Sequence, residues 1–222
     1  MPLFGQNDNF TKWQELAEKD ISLRPQYGNI KKTAKHKASD LAFKKEVLEK
    51  YDGDHIAASE KMVELGFTYL YDKNDFVTAM RRFNQAHMLN TQNADAYYGY
   101  GAIYFNLGAM DEARKQYEKG LSINPKHTKI LTDYGTTYLG EYYKQIANSE
   151  EDAFESLNTA DQYLEKSFAL DKKNSNTVYK LSIVKMYLGN CKQAKALLKR
   201  AQKMDNPNIT EAYMTELQDK CE

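Results

Sequence analysis

The chain has 222 residues, of which 41% are hydrophobic and 28% are charged, and its 31 basic and 31 acidic side chains cancel to a formal net charge of zero. This balance is typical of a folded globular protein and excludes a global electrostatic attraction to nucleic acid or anionic membranes. No apolar run reaches the roughly 18 to 20 residues that a membrane-spanning helix needs. Seventeen tyrosines beside one tryptophan and four prolines favour stacked helices, because tyrosine can bury its ring while its hydroxyl stays at a rim.

The N-terminal region is predicted to be a helical extension that covers residues 1–53. Residues 1–9 are polar and are expected to be extended or disordered. Phe10, Trp13 and Ala17 then recur at the spacing of a short amphipathic helix, which a proline and a glycine end. The first residues lack the basic segment and apolar run of an export signal. We therefore expect either a cytoplasmic protein or one whose targeting segment is absent from this sequence.

A lysine-rich segment follows within this extension. Its six lysines are Lys31, Lys32, Lys35, Lys37, Lys44 and Lys45. One interpretation is a basic patch that docks nucleic acid or lipid headgroups. The other is the solvated face of a helix, with an apolar face formed by Ala34, Ala38, Leu41, Val47 and Leu48. We favour the solvated face, because no arginine is interleaved with the lysines.

The most informative pattern lies in the middle of the chain, over residues 94–127. Its fixed points are Tyr97, Tyr100, Gly101 and Tyr104, then Ala113 and Tyr117, and finally Pro125. The first four share one face of a helix. Gly101 leaves room for a second helix to approach, and Tyr117 of that helix is expected to fill the space. Asp111 is expected to cap the second helix, and Pro125 follows its end.

This pattern resembles the tetratricopeptide repeat family, whose W-x-x-L-G-x-x-Y, A-x-x-x-F and P positions differ here mainly by tyrosine in place of tryptophan and leucine. The resemblance implies an all-α, right-handed superhelical solenoid, in which antiparallel helix pairs stack along one continuous core. It also implies a non-catalytic scaffold that binds a protein segment in a concave groove. The family is a guide to binding and not to the identity of the partner.

About four such helix pairs are expected. Their repeats are predicted at residues 54–93, 94–127, 128–174 and 175–208, and a capping helix is predicted at residues 209–222. The first repeat has a longer loop, because Gly66 precedes Gly101 by 35 residues rather than 34. The fourth repeat departs most from the family pattern, with Ser182 in place of glycine and Lys185 in place of tyrosine.

The third repeat contains an insertion, placed at residues 141–158. Its second-helix signature arrives 47 residues after that of the preceding repeat, instead of 34. Because the extra residues fall between the two helices, both helices are expected to be longer, with Ser149 capping the second. Tyr142, Tyr143 and Phe154 would then project beyond the neighbouring repeats and pack on each other or on a partner.

The resemblance also predicts which side chains face the groove. Carried onto this sequence, the family's groove positions are Val63, Phe67, Leu70, Tyr71, Tyr98, Phe105, Asn106, Lys129, Thr132, Tyr179, Met186 and Tyr187. The set is mainly aromatic and apolar, which disfavours chaperone tails, because family members hold those tails with polar and basic side chains. The expected occupant is a segment of another protein. Alternatives are the chain's own N-terminal helix and a second copy in a homo-oligomer.

Residues for catalysis are not evident in the sequence. The four histidines, His36, His55, His87 and His127, are scattered, and none has a second ligand at metal-binding spacing on its helix. The sequence also lacks a glycine-rich phosphate loop and a nucleophile elbow. We therefore predict no catalytic residue, no metal site and no cofactor.

The chain has two cysteines, Cys191 and Cys221. Cys191 is expected at the start of the second helix of the fourth repeat, and Cys221 near the end of the capping helix. Antiparallel packing of these helices would make the thiols neighbours, so either a disulfide or a reduced pair is expected. A disulfide would favour an oxidising compartment such as the periplasm over the cytoplasm. The chain also resembles exported bacterial tetratricopeptide-repeat proteins, though less specifically.

Overall fold

The computed structural model describes residues 6–222, with side chains from Asn9 onward. This range is all-α and contains no strand, which confirms the predicted fold class. Its α-helices are α1 (Gln6–Lys19), α2 (Ala34–Glu49), α3 (His55–Phe67), α4 (Phe76–Leu89), α5 (Ala94–Asn106), α6 (Met110–Ile123), α7 (Thr128–Gln145), α8 (Glu150–Leu170), α9 (Ser175–Tyr187), α10 (Cys191–Lys203) and α11 (Glu211–Lys220). None of the described helices has the length and apolar composition that crossing a lipid bilayer requires.

Helix boundaries depart from the prediction near both ends of the chain. Residues 6–9, expected to be extended, are helical and belong to α1, while residues 1–5 lie outside the described residues. The last helix begins at Glu211, two residues later than expected. Thr210 is its N-cap, because the Thr210 side chain accepts a hydrogen bond from the backbone N–H three residues later.

The predicted helix caps are right in one case and wrong in another. Ser149 caps α8 as expected, since its side chain accepts a hydrogen bond from the backbone N–H of Asp152. Asp111 does not cap α6. The N-cap there is Ala109, and Asp111 lies inside the first turn, where it pairs with Arg114.

The longer loop of the first repeat is accommodated by a turn of π-helix. This turn, Thr68–Asp72, directly continues α3. Its wider hydrogen bonding is visible where the N–H of Lys73 donates to the carbonyl of Thr68 over 3.2 Å. A π-turn takes up one more residue than an α-turn, which explains why the glycine spacing is 35 residues while the helices remain paired.

The chain divides into two compact units. Unit 1 ends at Pro125 and contains α1 to α6, and unit 2 covers Lys126–Glu222 and contains α7 to α11. Within unit 1 the closely packed pairs are α3 with α4 and α5 with α6, and within unit 2 they are α7 with α8 and α9 with α10. Neither of the boundaries predicted at residues 53 and 208 separates the two units.

Glycines set the closest helix approaches of unit 1. A methyl group placed on Gly101 would overlap the ring of Tyr117, which is fully buried. Gly66 and Gly99 both face the ring of Phe83 in the same way, so this ring is enclosed between α3 and α5. The predicted role of Gly101 is therefore confirmed, because only a residue without Cβ leaves room for these rings.

Unit 2 uses polar contacts at the equivalent approach of α9 to α10. The hydroxyl of Ser182 is 2.8 Å from the carbonyl oxygen of Ala194 and 2.5 Å from the hydroxyl of Tyr213 on α11. Lys185, one helical turn further along α9, is buried and pairs with Asp161 at 2.7 Å and Glu165 at 2.8 Å. The two departures from the family pattern thus connect α9 to all of its neighbouring helices in this unit except α7.

A disulfide joins Cys191, at the start of α10, to Cys221, which directly follows α11. The two Cα atoms are 5.4 Å apart. Lys195 donates to the carbonyl of Cys221 over 2.7 Å. The last helix is therefore held to α10 by a covalent link in addition to its buried residues Tyr213 and Leu217.

Candidate functional site

The most exposed aromatic surface of unit 1 is a row of three rings, here called the aromatic ladder: Tyr71, Phe67 and Tyr98. The rings of Tyr71 and Phe67 are stacked, with centroids 5.9 Å apart and planes 7° apart. The rings of Phe67 and Tyr98 are 5.2 Å apart. Tyr71 is 57% exposed, while the other two are half-buried. Sequence reasoning predicted all three as groove residues, and the structure places them side by side.

The ladder is supported from inside the unit. The ring of Phe83 lies 5.0 Å from that of Phe67, nearly edge-on, and Phe83 is fully buried. Tyr98 is similarly backed by Tyr117 at 6.3 Å. Because the supporting rings sit against glycines of α3 and α5, they have little freedom to move. The ladder is thus a fixed surface that projects from a closely packed core.

The other predicted groove residues of unit 1 differ in how much surface they offer. Val63 and Leu70 are buried, at 8% and 2% exposure, so they support the surface without forming it. Phe105 is half-buried and extends the apolar face along α5. Asn106 is exposed, and its side-chain amide donates to the carbonyl of Ala102 over 2.8 Å.

The predicted groove residues of unit 2 are mostly in its interior, which corrects their assignment as a contact surface. Tyr179 and Met186 are 5% and 3% exposed. Thr132 is also buried, because its hydroxyl lies in a hydroxyl cluster, 2.9 Å from Ser167 and 2.6 Å from Thr177. Lys129 is exposed, and Tyr187 is half-buried. The positions that line a groove in a regular repeat are here covered by the unit itself.

The insertion is packed onto the end of α9. Tyr142 is buried, with its ring 4.9 Å from that of Tyr187, and Tyr143 is 5.6 Å from the same ring. The hydroxyl of Tyr187 donates to Glu216 of α11 over 2.7 Å. Burial raises the pKa of Tyr143 to about 12. The expected clustering of the inserted aromatics is therefore present, and Tyr187 covers Tyr142, whereas Tyr143 keeps 46% exposure.

The N-terminal helix does not occupy the ladder face. Its Phe10 ring lies 6.0 Å from Tyr104, and its Trp13 side chain is buried. The turn that follows is held by Asn84 of α4, whose amide donates to the carbonyls of Ser22 and Arg24. Within the described residues, these contacts use a face of α4 and α5 other than the one that carries Tyr98. The proposed filling of the groove by this helix is wrong for the part of the chain that the structure describes.

The lysine-rich segment lies on an exposed helix, α2. Of its residues only Val47 is buried, and Leu41 is 70% exposed. Most of the predicted apolar face, apart from Val47 and the half-buried Leu48, is therefore not covered by the rest of the described chain. Lys32 pairs with Asp40 at 2.5 Å and lies 3.4 Å above the ring of Tyr27, so it is engaged inside the protein. This pairing leaves fewer lysines for an anion site than the sequence count suggests.

One polar cluster was not anticipated from the sequence. The Nε2 atom of His87 lies 3.0 Å from the hydroxyl of Tyr97, and both atoms are close to the side-chain amide of Gln26. Burial, together with nearby Lys119, lowers the pKa of His87, so the imidazole is neutral at neutral pH. Among the described residues, no group of three or more histidine, cysteine or acidic side chains could hold a metal ion.

Comparisons with known proteins point to one family. The tetratricopeptide repeat model matches residues 70–132, which include the ladder residues Tyr71 and Tyr98. Tetratricopeptide repeat protein 1 of Schizosaccharomyces pombe is 26% identical over 137 residues, which are 60% of this chain and 12% of that protein. The chain spans between 12% and 37% of the length of the curated relatives that it matches.

Two crystal structures share the fold. A thermophilic TPR protein of Thermus thermophilus is 20% identical, with a TM-score of 0.58, and the match covers 73% of this chain and 80% of that one. PilF of Pseudomonas aeruginosa is also 20% identical with a TM-score of 0.58, and covers 75% of this chain and 68% of its own. Together with the glycine-to-ring packing of α3 to α6 and the family match over residues 70–132, they show that the chain is similar to tetratricopeptide repeat proteins in its fold.

Proposed function

We propose that the chain is a non-catalytic interaction scaffold, and that unit 1 binds a segment of another protein along the aromatic ladder. The observation that supports this proposal is a set of rings that pack on the buried core on their inner side and are partly exposed to solvent on their outer side, with Tyr71 57% exposed. Rigid aromatic side chains lose little conformational entropy when a partner packs on them. The family match over residues 70–132 supports a scaffold role of this kind.

The charges beside the ladder favour a partner that combines apolar and basic residues. Glu60 and Glu64 are exposed and share one face of α3 with Phe67, because these residues are spaced by three and four positions. Asp95 lies one turn before Tyr98 on α5. Lys61 pairs with Glu64 at 2.7 Å and offsets part of this charge. A Lys or Arg side chain from a partner could lie over a ring of the ladder while facing these carboxylates.

Selection of peptides from a random display library on the full chain tests this proposal. We expect the enriched sequences to carry apolar residues at helical or alternating spacing together with Lys or Arg. A Tyr71→Ala/Phe105→Ala variant should lose at least tenfold in affinity for them, which corresponds to about 1.4 kcal/mol. A Glu60→Lys/Glu64→Lys variant should weaken binding most at low salt, because exposed charges are screened as ionic strength rises.

The matched control is Tyr143→Ala, which removes a similarly exposed ring from unit 2. It should leave the affinity unchanged. Equal binding of the selected peptides by the Tyr71→Ala/Phe105→Ala variant and the parent would place the binding surface elsewhere and reject the ladder.

We further propose that the protein works in an oxidising compartment, as an exported protein does. The Cys191–Cys221 disulfide supports this, because structural disulfides persist mainly outside the reducing cytoplasm. A count of free thiols tests this proposal, made on protein taken directly from its source and unfolded without a reducing agent. Two free thiols would reject both the disulfide and the oxidising compartment.

A further inference from the structure

The N-terminal arm, defined here as residues 6–29, is bound to α4 and α5 as a peptide ligand would be. Asn84 is fully buried, and its amide donates to the main-chain carbonyls of Ser22 at 2.8 Å and Arg24 at 3.0 Å. The carbonyl oxygen of the same side chain accepts from the hydroxyl of Tyr100 at 2.8 Å. These bonds orient Asn84 and hold the arm by its backbone.

Side chains of the arm are recognised as well. The amide of Gln26 donates to the hydroxyl of Tyr97 over 2.5 Å, and Arg81 donates to Asp20 at 2.8 Å and to the hydroxyl of Ser22 at 3.1 Å. Trp13, Ala17 and Leu23 of the arm are buried. We call the α4 and α5 residues that make these contacts the seat: Arg81, Asn84, His87, Tyr97, Tyr100 and Tyr104.

The chain turns back after the arm through an unusual backbone conformation. Gln26, Tyr27, Gly28 and Asn29 have φ values of 56°, 56°, 68° and 53°. Three of the four are not glycine, and consecutive left-handed residues of that kind are disfavoured by contacts of Cβ with the backbone. This turn brings Lys32 back over the ring of Tyr27. The turn thereby directs the chain from the arm back toward α2 of the same copy.

The segment after the turn is suited to extend. Residues 30–33 have no regular structure, and Ile30 is already extended at φ −85° and ψ 156°. The following helix, α2, buries only Val47. An arm that leaves its own seat would therefore lose few contacts beyond those of the seat itself.

We propose that two copies of the chain exchange their arms, so that the arm of each copy lies in the seat of the other. All of the arm-to-seat contacts are the same in the closed and exchanged forms. The exchanged form allows residues 27–29, the end of the arm beyond Gln26, to leave the left-handed region while Gln26 keeps its contact with Tyr97, and strained hinges of this kind favour exchange. The partner of the seat is thus a second copy of this chain, recognised through Asn84 and Gln26.

A Ser22→Cys/Arg81→Cys variant of the full chain tests the exchange, because these side chains touch in the structure, with 3.1 Å between Ser22 Oγ and Arg81 Nε. The protein is refolded at high concentration and oxidised, and its mass is read on a non-reducing denaturing gel. Exchange predicts a linked species of twice the 25.6 kDa chain mass, increasing with protein concentration. A bond that forms only within single chains at every concentration would overturn the proposal.

Two further variants keep the test specific. Ser22→Cys alone should give little linked species, because the seat then offers no partner thiol; an equal yield would show random collision and overturn the exchange. Adding Asn29→Gly to the double variant should lower the linked fraction several-fold, because glycine adopts the left-handed turn of the closed form readily. An unchanged fraction in this variant would show that the turn does not drive the exchange.

Discussion

In unit 1 the closest approach of α5 and α6 is made by Gly101 against the ring of Tyr117, whereas in unit 2 the matching approach of α9 and α10 is made by Ser182, whose hydroxyl contacts the carbonyl of Ala194. Unit 1 is held mainly by the shape of apolar side chains against missing Cβ atoms. Unit 1 also has a buried hydroxyl contact, from Ser59 to the carbonyl of Ala86, but unit 2 adds a hydroxyl contact to its last helix, a buried ammonium group and a disulfide.

The comparison shows that helix pairs with the same repeat pattern can be packed by apolar contacts or by polar contacts. The two kinds of packing leave different side chains exposed at the surface. In unit 1 the rings of Phe83 on α4 and Tyr117 on α6 pack against glycines of α3 and α5. The rings of the aromatic ladder remain partly exposed. In unit 2 the matching positions, Tyr179 and Met186, are covered. The ring of Tyr179 packs 5.4 Å from that of Tyr213 on the capping helix, so this helix helps to bury a position whose counterpart in unit 1 is partly exposed.

Removing the disulfide of unit 2 should cause the largest loss of unfolding free energy. A Cys191→Ser/Cys221→Ser variant releases the closed loop, whose ends are 30 residues apart. In the chain-entropy model this costs roughly 3 to 4 kcal/mol of unfolding free energy. Denaturant unfolding of the variant, and of the parent under reducing conditions, should give the same loss. A thiol count on unfolded, unreduced parent protein should find no free thiol, and two free thiols would remove the link from the comparison.

Filling a glycine pocket should be the next most damaging change, and it acts on unit 1. Gly101→Ala places a methyl group where the Tyr117 ring lies, and overpacking of this kind costs about 1 to 3 kcal/mol. The matched control is Gly140→Ala on α7, where a Cβ meets nothing within 4 Å. That change should instead stabilise the protein by about 0.5 to 1 kcal/mol through helix propensity. Thermal unfolding of both variants measures the contrast, and equal effects would contradict steric control of unit 1.

The buried lysine of unit 2 should contribute about 2 kcal/mol. Lys185→Met leaves Asp161 and Glu165 without their shared cation, and breaking a largely buried pair leaves an uncompensated charge. Lys50→Met is the control, because its partner Glu46 is 70% exposed, and such surface pairs contribute little. Replacing Asp161 and Glu165 by Asn and Gln in the same variant should recover most of the loss.

The same lysine gives a pH dependence with a definite sign. Burial alone would lower the pKa of Lys185, but its hydrogen bonds and attraction to Asp161 and Glu165 outweigh burial and raise that pKa above its ordinary value of 10.5. A raised pKa in the folded state means that the stabilising contribution is complete below pH 10.5 and is lost as pH rises through the folded value. From neutral pH upward, the stability difference between the parent and Lys185→Met should therefore begin to shrink only above that pH. A difference that shrinks between pH 7 and 9 would contradict this pairing.

The two units also differ in how far the sequence could predict them. The period of the glycine and alanine positions was enough for the helix pairs, because those positions must recur wherever two helices approach closely. Gly101 and Tyr117 were paired correctly for the same reason. The role of Lys185 could not be predicted, because the period defines which helices pack together but not which carboxylates of α8 a lysine of α9 will meet. Thr132 was placed in a groove by its position, but the hydroxyls of Ser167 and Thr177 bury it.

The candidate site was predicted only in part, for a physical reason. The family's groove positions include Phe67, Tyr71 and Tyr98, whose rings lie side by side in unit 1, because a regular repeat leaves that helix face open. They could not show that the arm binds Asn84 and Tyr97, since a left-handed turn over mostly non-glycine residues has no signature in composition or periodicity.

Restoring the family's glycine in unit 2 is the sharpest test of the comparison. If the two units were packed alike, Ser182→Gly would be neutral or favourable, because glycine is what the family uses at this position. The structure predicts a loss instead. The variant removes the hydroxyl that contacts the Ala194 carbonyl at 2.8 Å and the Tyr213 hydroxyl at 2.5 Å, and it adds the entropic cost of a glycine inside a helix. Each of these contributions is about 1 kcal/mol.

Ser182→Ala separates them, because it removes the hydroxyl and keeps helix propensity. In a double-mutant cycle with Tyr213→Phe, measured by denaturant unfolding, the two changes should be non-additive by about 0.5 kcal/mol or more. Strict additivity would show that the Ser182 hydroxyl does not link α9 to the last helix.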